Sequence, residues 1–277
     1  MSDPLNSTSE VQLAVIGGGK MGEALLGGML RAGSIALRDV LVVEPDTDRR
    51  AELGDAYPGL AVVAEVPARL RAAGVLVAVK PQHVEIVCRQ IAPGAGRILS
   101  IAAGVTASTI ERSLAEGAPG RAIPVVRAMP NTPALVGVGA SAIAAGSSAG
   151  ADDLAWAEGV LCAVGIVVRV DEKQLDAVTG LSGSGPAYIF LVAEAMIEAG
   201  VLLGLTRPIA RALVAQTIRG AGTLLTDSSE DAATLRGNVT SPGGTTAAGL
   251  RALEAAGMRS ALIDAVAAAT RRATELG

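Results

Sequence analysis

The sequence predicts an α/β N-terminal half followed by an all-α C-terminal half, and three observations predict it. Short apolar strands alternate with helical patterns as far as about residue 170. From Asp171 onward the apolar spacing is helical to the end. A glycine-rich turn with the spacing of a dinucleotide cradle joins the first strand to the first helix. The expected division is 1–170 for the nucleotide half and 171–277 for the helical half.

Val11–Ile16 reads as a short parallel strand. It runs straight into Gly17-Gly18-Gly19-Lys20-Met21-Gly22, followed by a helix that stops near Gly33. Gly17 makes the tight turn, Gly19 admits a pyrophosphate, and Gly22 allows close helix–strand packing, with Lys20 and Met21 opening the helix. A second strand, Val40–Val43, ends at Glu44, twenty-two residues after Gly22. An acidic residue near this spacing takes the ribose hydroxyls of a dinucleotide, although a solvated carboxylate before Pro45 fits the same residue. Further strands are expected at 61–63, 75–79, 98–101, 125–129, 139–145 and 165–170. The apolar run to Val79 ends in Lys80-Pro81, at the carboxyl end of a strand, where doubly wound sheets bind ligands. The strand ending at Met129 leads into Pro130-Asn131-Thr132-Pro133. Asn131 either points its amide into a cleft or serves the turn itself.

The helical half opens on Val178–Tyr188, with three glycines and two serines before a nearly all-apolar helix from Tyr188 to about Leu203. Read as a loop, with Ser184 capping and Pro186 in the first helical turn, it presents backbone amides to an anion or a flat ligand. A tight interdomain turn fits equally well. The apolar helix carries Glu194 and Glu198 and is expected to be a buried soluble helix, wrapped by others, some from a second subunit. Helices follow from Thr206 to about Leu225, after 227–231, from near Thr245, and from Met258 to the end. A second glycine-rich stretch, Ser241-Pro242-Gly243-Gly244-Thr245-Thr246, opens one of them and combines amides with hydroxyls, as a carboxylate cradle requires.

Composition narrows the function. Half of the 277 residues are hydrophobic, 18% are charged, and the net charge is −4. The aromatics are only Tyr57, Trp156, Tyr188 and Phe190, so the core must be aliphatic. No basic block with interleaved aromatics appears, which argues against a nucleic-acid partner. Apart from the helix after Pro186, no run reaches the roughly 18 apolar residues of a membrane span, and no membrane association is expected. Met1 to Glu10 reads as a short disordered tail rather than a signal peptide. Cys88 and Cys162 lack metal spacing and are expected as free buried thiols in a reducing cytoplasm. No metal site is expected.

The acid/base inventory is thin. His83 is the only histidine, and the lysines are Lys20, Lys80 and Lys173. Oxidation of an alcohol needs a base for the hydroxyl proton. Reduction of a protonated imine needs only an aimed hydride, a held carboxylate and a hydrogen bond to the ring nitrogen. A two-domain hydroxyacid dehydrogenase would carry a lysine on the helix after its glycine-rich loop, but Pro186, Ala187, Tyr188 and Ile189 fill those positions. A non-catalytic nicotinamide-binding protein would have no use for the second cradle.

Five stretches in order along the chain resemble the pyrroline-5-carboxylate reductase family: Gly17–Gly22, Ala78–Gln82, Arg127–Pro133, Asp176–Phe190 and Val239–Leu253. The resemblance implies a Rossmann-like N-terminal domain, an all-α C-terminal dimerisation domain and often a ring of five dimers, a decamer. It implies reduction of 1-pyrroline-5-carboxylate to L-proline in the cytoplasm, with NADPH or NADH. It places the substrate carboxylate on Ser241, Gly243, Gly244, Thr245 and Thr246 at the dimer interface, and the Thr246 hydroxyl, as the catalytic group, on the ring nitrogen. It places Val79, Lys80, Pro81 and Asn131 near the nicotinamide. Many members carry Asn-Arg-Ser or Asn-Arg-Thr after the second strand, where this chain has Glu44-Pro45-Asp46-Thr47 with Arg49 and Arg50 beyond. Both cofactors are therefore expected to work, with NADH ahead because Glu44 occupies the discriminating position.

Overall fold

The computed structural model describes residues 10–276; the predicted N-terminal tail lies almost wholly outside them. The chain forms two compact units. One runs to Gly183 and takes in the chain end from Ala269; the other is Ser184–Ala268. The division thus falls thirteen residues later than the motif-based one at 170/171, and the last helix belongs to both units.

The first unit is built on an eight-stranded sheet: β1 (Val11–Ile16), β2 (Val40–Val43), β3 (Ala61–Val63), β4 (Ala72–Val77), β5 (Ile98–Ser100), β6 (Val125–Met129), β7 (Gly139–Ala145) and β8 (Gly165–Arg169). The spatial order is β3-β2-β1-β4-β5-β6-β7-β8. All neighbours are parallel except β6 and β7, which pair antiparallel with Val126 opposite Ala145. Helices α1 (Lys20–Arg31), α2 (Thr47–Ala56), α3 (Val84–Ile91), α4 (Ala107–Gly117) and α5 (Ala151–Cys162) connect the strands. Two aliphatic clusters flank the sheet. Ile16, Val77, Ile91, Ile98, Ile110 and Leu114 belong to one; Leu13, Leu25, Leu53, Leu76, Leu99 and Leu161 belong to the other. Because strand side chains alternate, consecutive residues such as Val75 and Leu76 serve opposite clusters, and the run must be apolar throughout. The chain order reverses between β1 and β4, so the connections leaving their paired carboxyl ends diverge and open a crevice.

Cys88 is buried as expected, and burial pushes its thiol up to about 12. Cys162 departs from expectation: at the end of α5 it is exposed.

The stretch expected to be an open Gly/Ser loop is helical. A short helix, α6 (Leu175–Val178), passes into a π-helical turn at Thr179–Gly183, and α7 (Gly185–Leu202) starts two residues later. Thr179 Oγ1 donates to Leu175 O at 2.8 Å and Ser182 Oγ to Val178 O at 3.2 Å. Gly183 is where the Met129 methyl comes in; an added Cβ would lie 2.7 Å from Met129 Cε. Ser184 makes no capping hydrogen bond. The amides are engaged along the helix, and the stretch is not an anion cradle.

The second unit contains α7, α8 (Arg207–Asp227), α9 (Ala232–Asn238), α10 (Thr245–Ala255) and the first part of α11 (Met258–Leu276). Helices α7 and α8 pack closely at Gly200, where a Cβ would stand 3.1 Å from Ala210 Cβ. Within one chain none of the residues of α7 is buried, and Phe190 is 69% and Leu202 86% exposed, so the cover expected for this helix is not supplied by its own chain. The run Glu172–Leu202 is long and apolar enough, by length and composition, to cross a membrane. The same property suits a helix that a second subunit covers. Ile189, Phe190, Leu191, Met196 and Leu202 still expose much of their apolar surface, and covering it favours association. Sedimentation at micromolar concentration is expected to show no species smaller than a dimer; a stable, active monomer would contradict this.

Candidate functional site

The crevice between β1 and β4 begins at the glycine turn. Gly17 holds φ +102° and donates its N–H to Val43 O at 2.8 Å. A Cβ there would fall 2.6 Å from Ala78 O, and one on Gly22 only 2.3 Å from Gly17 O. Both glycines are required by contact with backbone. Gly19 differs: it is exposed, and nothing lies within 4 Å of where its Cβ would be. Gly19 caps α1, and Glu23 N is bonded to Gly19 O at 2.9 Å, so the amides just before it face outward at the helix's positive end. This is a cradle for a diphosphate, with open space where the anion approaches. The residues present fit a dinucleotide.

Beside the turn lies a cavity of about 540 Å³, lined by Gly17, Val43, Pro45, Val66, Val79 and His83 among others. Val79 was picked out from sequence; Val66 and His83 were not. The signal for Val66 is its place just past β3, at the sheet edge beside β2. His83 closes the short 3-10 turn Pro81–His83 after exposed Lys80.

Glu44 is only 9% exposed. Its Oε2 accepts from Gly18 N at 2.8 Å and its Oε1 from Asp46 N at 3.0 Å. The carboxylate thus ties the glycine turn to the end of β2. Arg49, in the first turn of α2, donates Nε to Gly18 O at 2.7 Å and Nη1 to Glu52 at 2.7 Å, and pairs through Nη2 with Glu23 of α1. Glu52 first, with Glu23, raises the guanidinium above its ordinary value against the lowering effect of burial. Arg50 is held back on Glu44 O and Pro45 O at 3.0 and 2.7 Å.

Of the two readings of Asn131, its contacts favour the one in which it serves the turn. Its Oδ1 accepts from Ala140 N at 2.9 Å and its Nδ2 donates to Ser182 O at 3.1 Å. It braces the turn after β6 against β7 and the π-helical turn, where a carbonyl displaced from the regular helix ladder needs a donor. A second brace is Arg127, 8% exposed, which meets Glu172 Oε1 at 2.7 Å; the same oxygen accepts from Ala107 N.

In the second unit, Ser241–Gly244 forms a tight turn. Pro242 supplies the fixed φ of its second position, Gly243 holds φ +70° at the third, and Gly244 N donates to Ser241 O at 3.0 Å, the pattern of a type II turn. The Gly244 amide, expected to hold a carboxylate, is therefore engaged in the turn. Gly244 caps α10, and the first amide bonded along that helix is Ala248 N, to Gly244 O at 3.2 Å. The amides of Thr245 and Thr246 precede it, in the first turn, where a helix has no acceptor of its own for them. Thr240 has its hydroxyl on Arg236 O at 2.6 Å.

Comparison with known proteins agrees with this layout. Residues 172–276 match a family model described as pyrroline-5-carboxylate reductase dimerisation, and residues 12–104 match one described as NADP oxidoreductase coenzyme F420-dependent. The pyrroline-5-carboxylate reductase of Synechocystis is 46% identical over 273 residues, covering 96% of this chain and 98% of that one. The Pseudomonas aeruginosa enzyme is 40% identical, covering 97% of each. A solved pyrroline-5-carboxylate reductase from Coxiella burnetii superposes with TM-score 0.87 at 36% identity, covering 96% of this chain and 98% of that one. One from Plasmodium falciparum with NADP bound gives 0.80 at 29%, with the same coverages.

Proposed function

The chain belongs to the pyrroline-5-carboxylate reductase family, and on that premise we propose which of its residues carry the reaction. It is an NAD(P)H-dependent reductase of a cyclic imine: it takes 1-pyrroline-5-carboxylate to L-proline, the last step of proline synthesis. When bound, the dihydronicotinamide supplies the hydride for the C=N carbon. The chain's own residues bind, orient and complete the proton balance. Gly17, Gly19 and Gly22 shape the cradle, with the Lys20 and Met21 amides on the diphosphate. Glu44 holds that cradle to β2. Val79, Lys80 and Pro81 lie toward the nicotinamide, and Asn131 positions the neighbouring turns. Thr245 and Thr246 amides, with Ser241, hold the substrate carboxylate. The Thr246 hydroxyl donates to the ring nitrogen as the amine forms.

One observation carries this reading. A cradle shaped by close backbone contacts at Gly17 and Gly22 occurs in the same chain as a type II turn that opens a helix with two adjacent threonine hydroxyls. An imine reductase needs both and needs no general base. The chain is a homo-oligomer, and the matched dimerisation segment includes the uncovered α7. We assign the decamer, a ring of five dimers, as its larger assembly, the cytoplasm as its location, and 171–277 as its substrate and dimerisation half. Purified protein is expected to oxidise NADH or NADPH only when pyrroline-5-carboxylate is added. Absence of that dependence would overturn the assignment.

A further inference from the structure

The ribose corner of the cradle contains a charge arrangement that the imine chemistry does not require. Arg49 lies over the glycine turn through Nε on Gly18 O, where a guanidinium would meet a 2′-phosphate if a dinucleotide carried one. Its other two nitrogens are already engaged, by Glu23 across from α1 and by Glu52 on its own helix. Glu23 is the more sheltered partner, 31% exposed against 65% for Glu52. Arg50 is turned back onto the end of β2 and capped on Thr47 Oγ1 at 3.1 Å. Glu44 and Asp46 add negative charge within the same hydrogen-bonded chain. A 2′-phosphate entering here must displace a carboxylate from Arg49. A 2′-hydroxyl needs no such change.

We infer that Glu23 is a specificity-determining residue: by holding Arg49 in an ion pair it keeps that guanidinium from a 2′-phosphate, and so turns the cradle toward the unphosphorylated cofactor. This rests on the dinucleotide reading of the glycine turn. The discriminating contact is therefore carried by α1 and α2, and Glu44 serves the turn's shape. Glu23→Gln preserves size and removes the charge. Arg49 then swings to the phosphate while keeping its bond to Gly18 O.

The test is calorimetric titration of the intact protein with 5′-AMP and with adenosine 2′,5′-bisphosphate. In the unsubstituted protein 5′-AMP is expected to bind at least as tightly as the bisphosphate. In Glu23→Gln the bisphosphate should tighten by about two- to fivefold, the range of a partly exposed ion pair, with 5′-AMP unchanged. Adding Arg49→Ala to Glu23→Gln should abolish the gain. A purely structural role for Glu23 would move both ligands together, and that outcome, or an unchanged ratio, overturns the inference. If neither nucleotide binds the unsubstituted protein, the reading of the glycine turn falls first.

Discussion

Thr246→Ala is expected to lower kcat by about one to three orders of magnitude while raising KM for the imine far less. The reasoning starts from the second position of α10, where Thr246 follows Thr245 and the capping Gly244. Its hydroxyl and amide stand together at the helix's positive end, partly buried. Before hydride transfer the ring nitrogen is a weak partner for the hydroxyl. As hydride arrives, that nitrogen becomes an amine that a donor can stabilise. A hydrogen bond that strengthens only in the transition state lowers the barrier without tightening substrate binding. Removing one such donor costs on the order of 10²–10³ where it is best placed. Thr246→Ser should retain most of the rate. Steady-state kinetics of the folded variants decide the matter, and an unchanged kcat in Thr246→Ala removes the residue from the mechanism.

Gly22→Ala should cost both stability and dinucleotide affinity, whereas Gly19→Ala should cost affinity alone. At Gly22 the new methyl would fall 2.3 Å from a backbone oxygen, that of Gly17, which no rotamer change can relieve. Either α1 shifts off the sheet or the turn opens. Overpacking of this kind costs about 1–3 kcal/mol, and a turn distorted by the same amount of strain is expected to lose about five- to 150-fold in binding. At Gly19 the backbone is extended, with φ −64°, and the methyl meets nothing in the chain, so the melting temperature should hold. The methyl instead occupies the space reserved for the diphosphate. Fluorescence titration with NADH, beside thermal melts, separates the two variants. Tight NADH binding by Gly19→Ala would mean that the diphosphate lies elsewhere.

The strands were legible because each is a short apolar run bounded by turn residues. Val11–Ile16, Val40–Val43 and Val125–Met129 can be read to the residue. The antiparallel pairing of β7 was not legible, since periodicity carries no direction. The π-helical turn was hidden by composition. Gly180, Gly183 and Ser182 are residues that break helices on their own, and here tertiary partners outweigh that tendency: Asn131 on Ser182 O and Met129 against Gly183. Asn131 itself could not be placed, because turn residues and ligand-binding residues have the same chemistry. The apolar run of α7 was legible as a surface to be covered partly by a second subunit, and within one chain it is uncovered. At the cradle the glycine spacing was sufficient for Gly17 and Gly22. The inward turn of Glu44 depends on the Gly18 and Asp46 amides meeting it, which no spacing reveals.

The last helix belongs to both units, and this bears on the order in which the protein is made. From Ala269 the chain end returns to the first unit, where Thr274 Oγ1 donates to Asp176 at 2.9 Å and Ala273 is buried. A ribosome delivers the strands and the glycine turn long before these residues. The nucleotide half can therefore assemble its sheet during synthesis, but the segment around Asp176 gains its final cover only once the residues from Ala269 arrive. A protein truncated before Ala269 would retain the sheet and lose that seal.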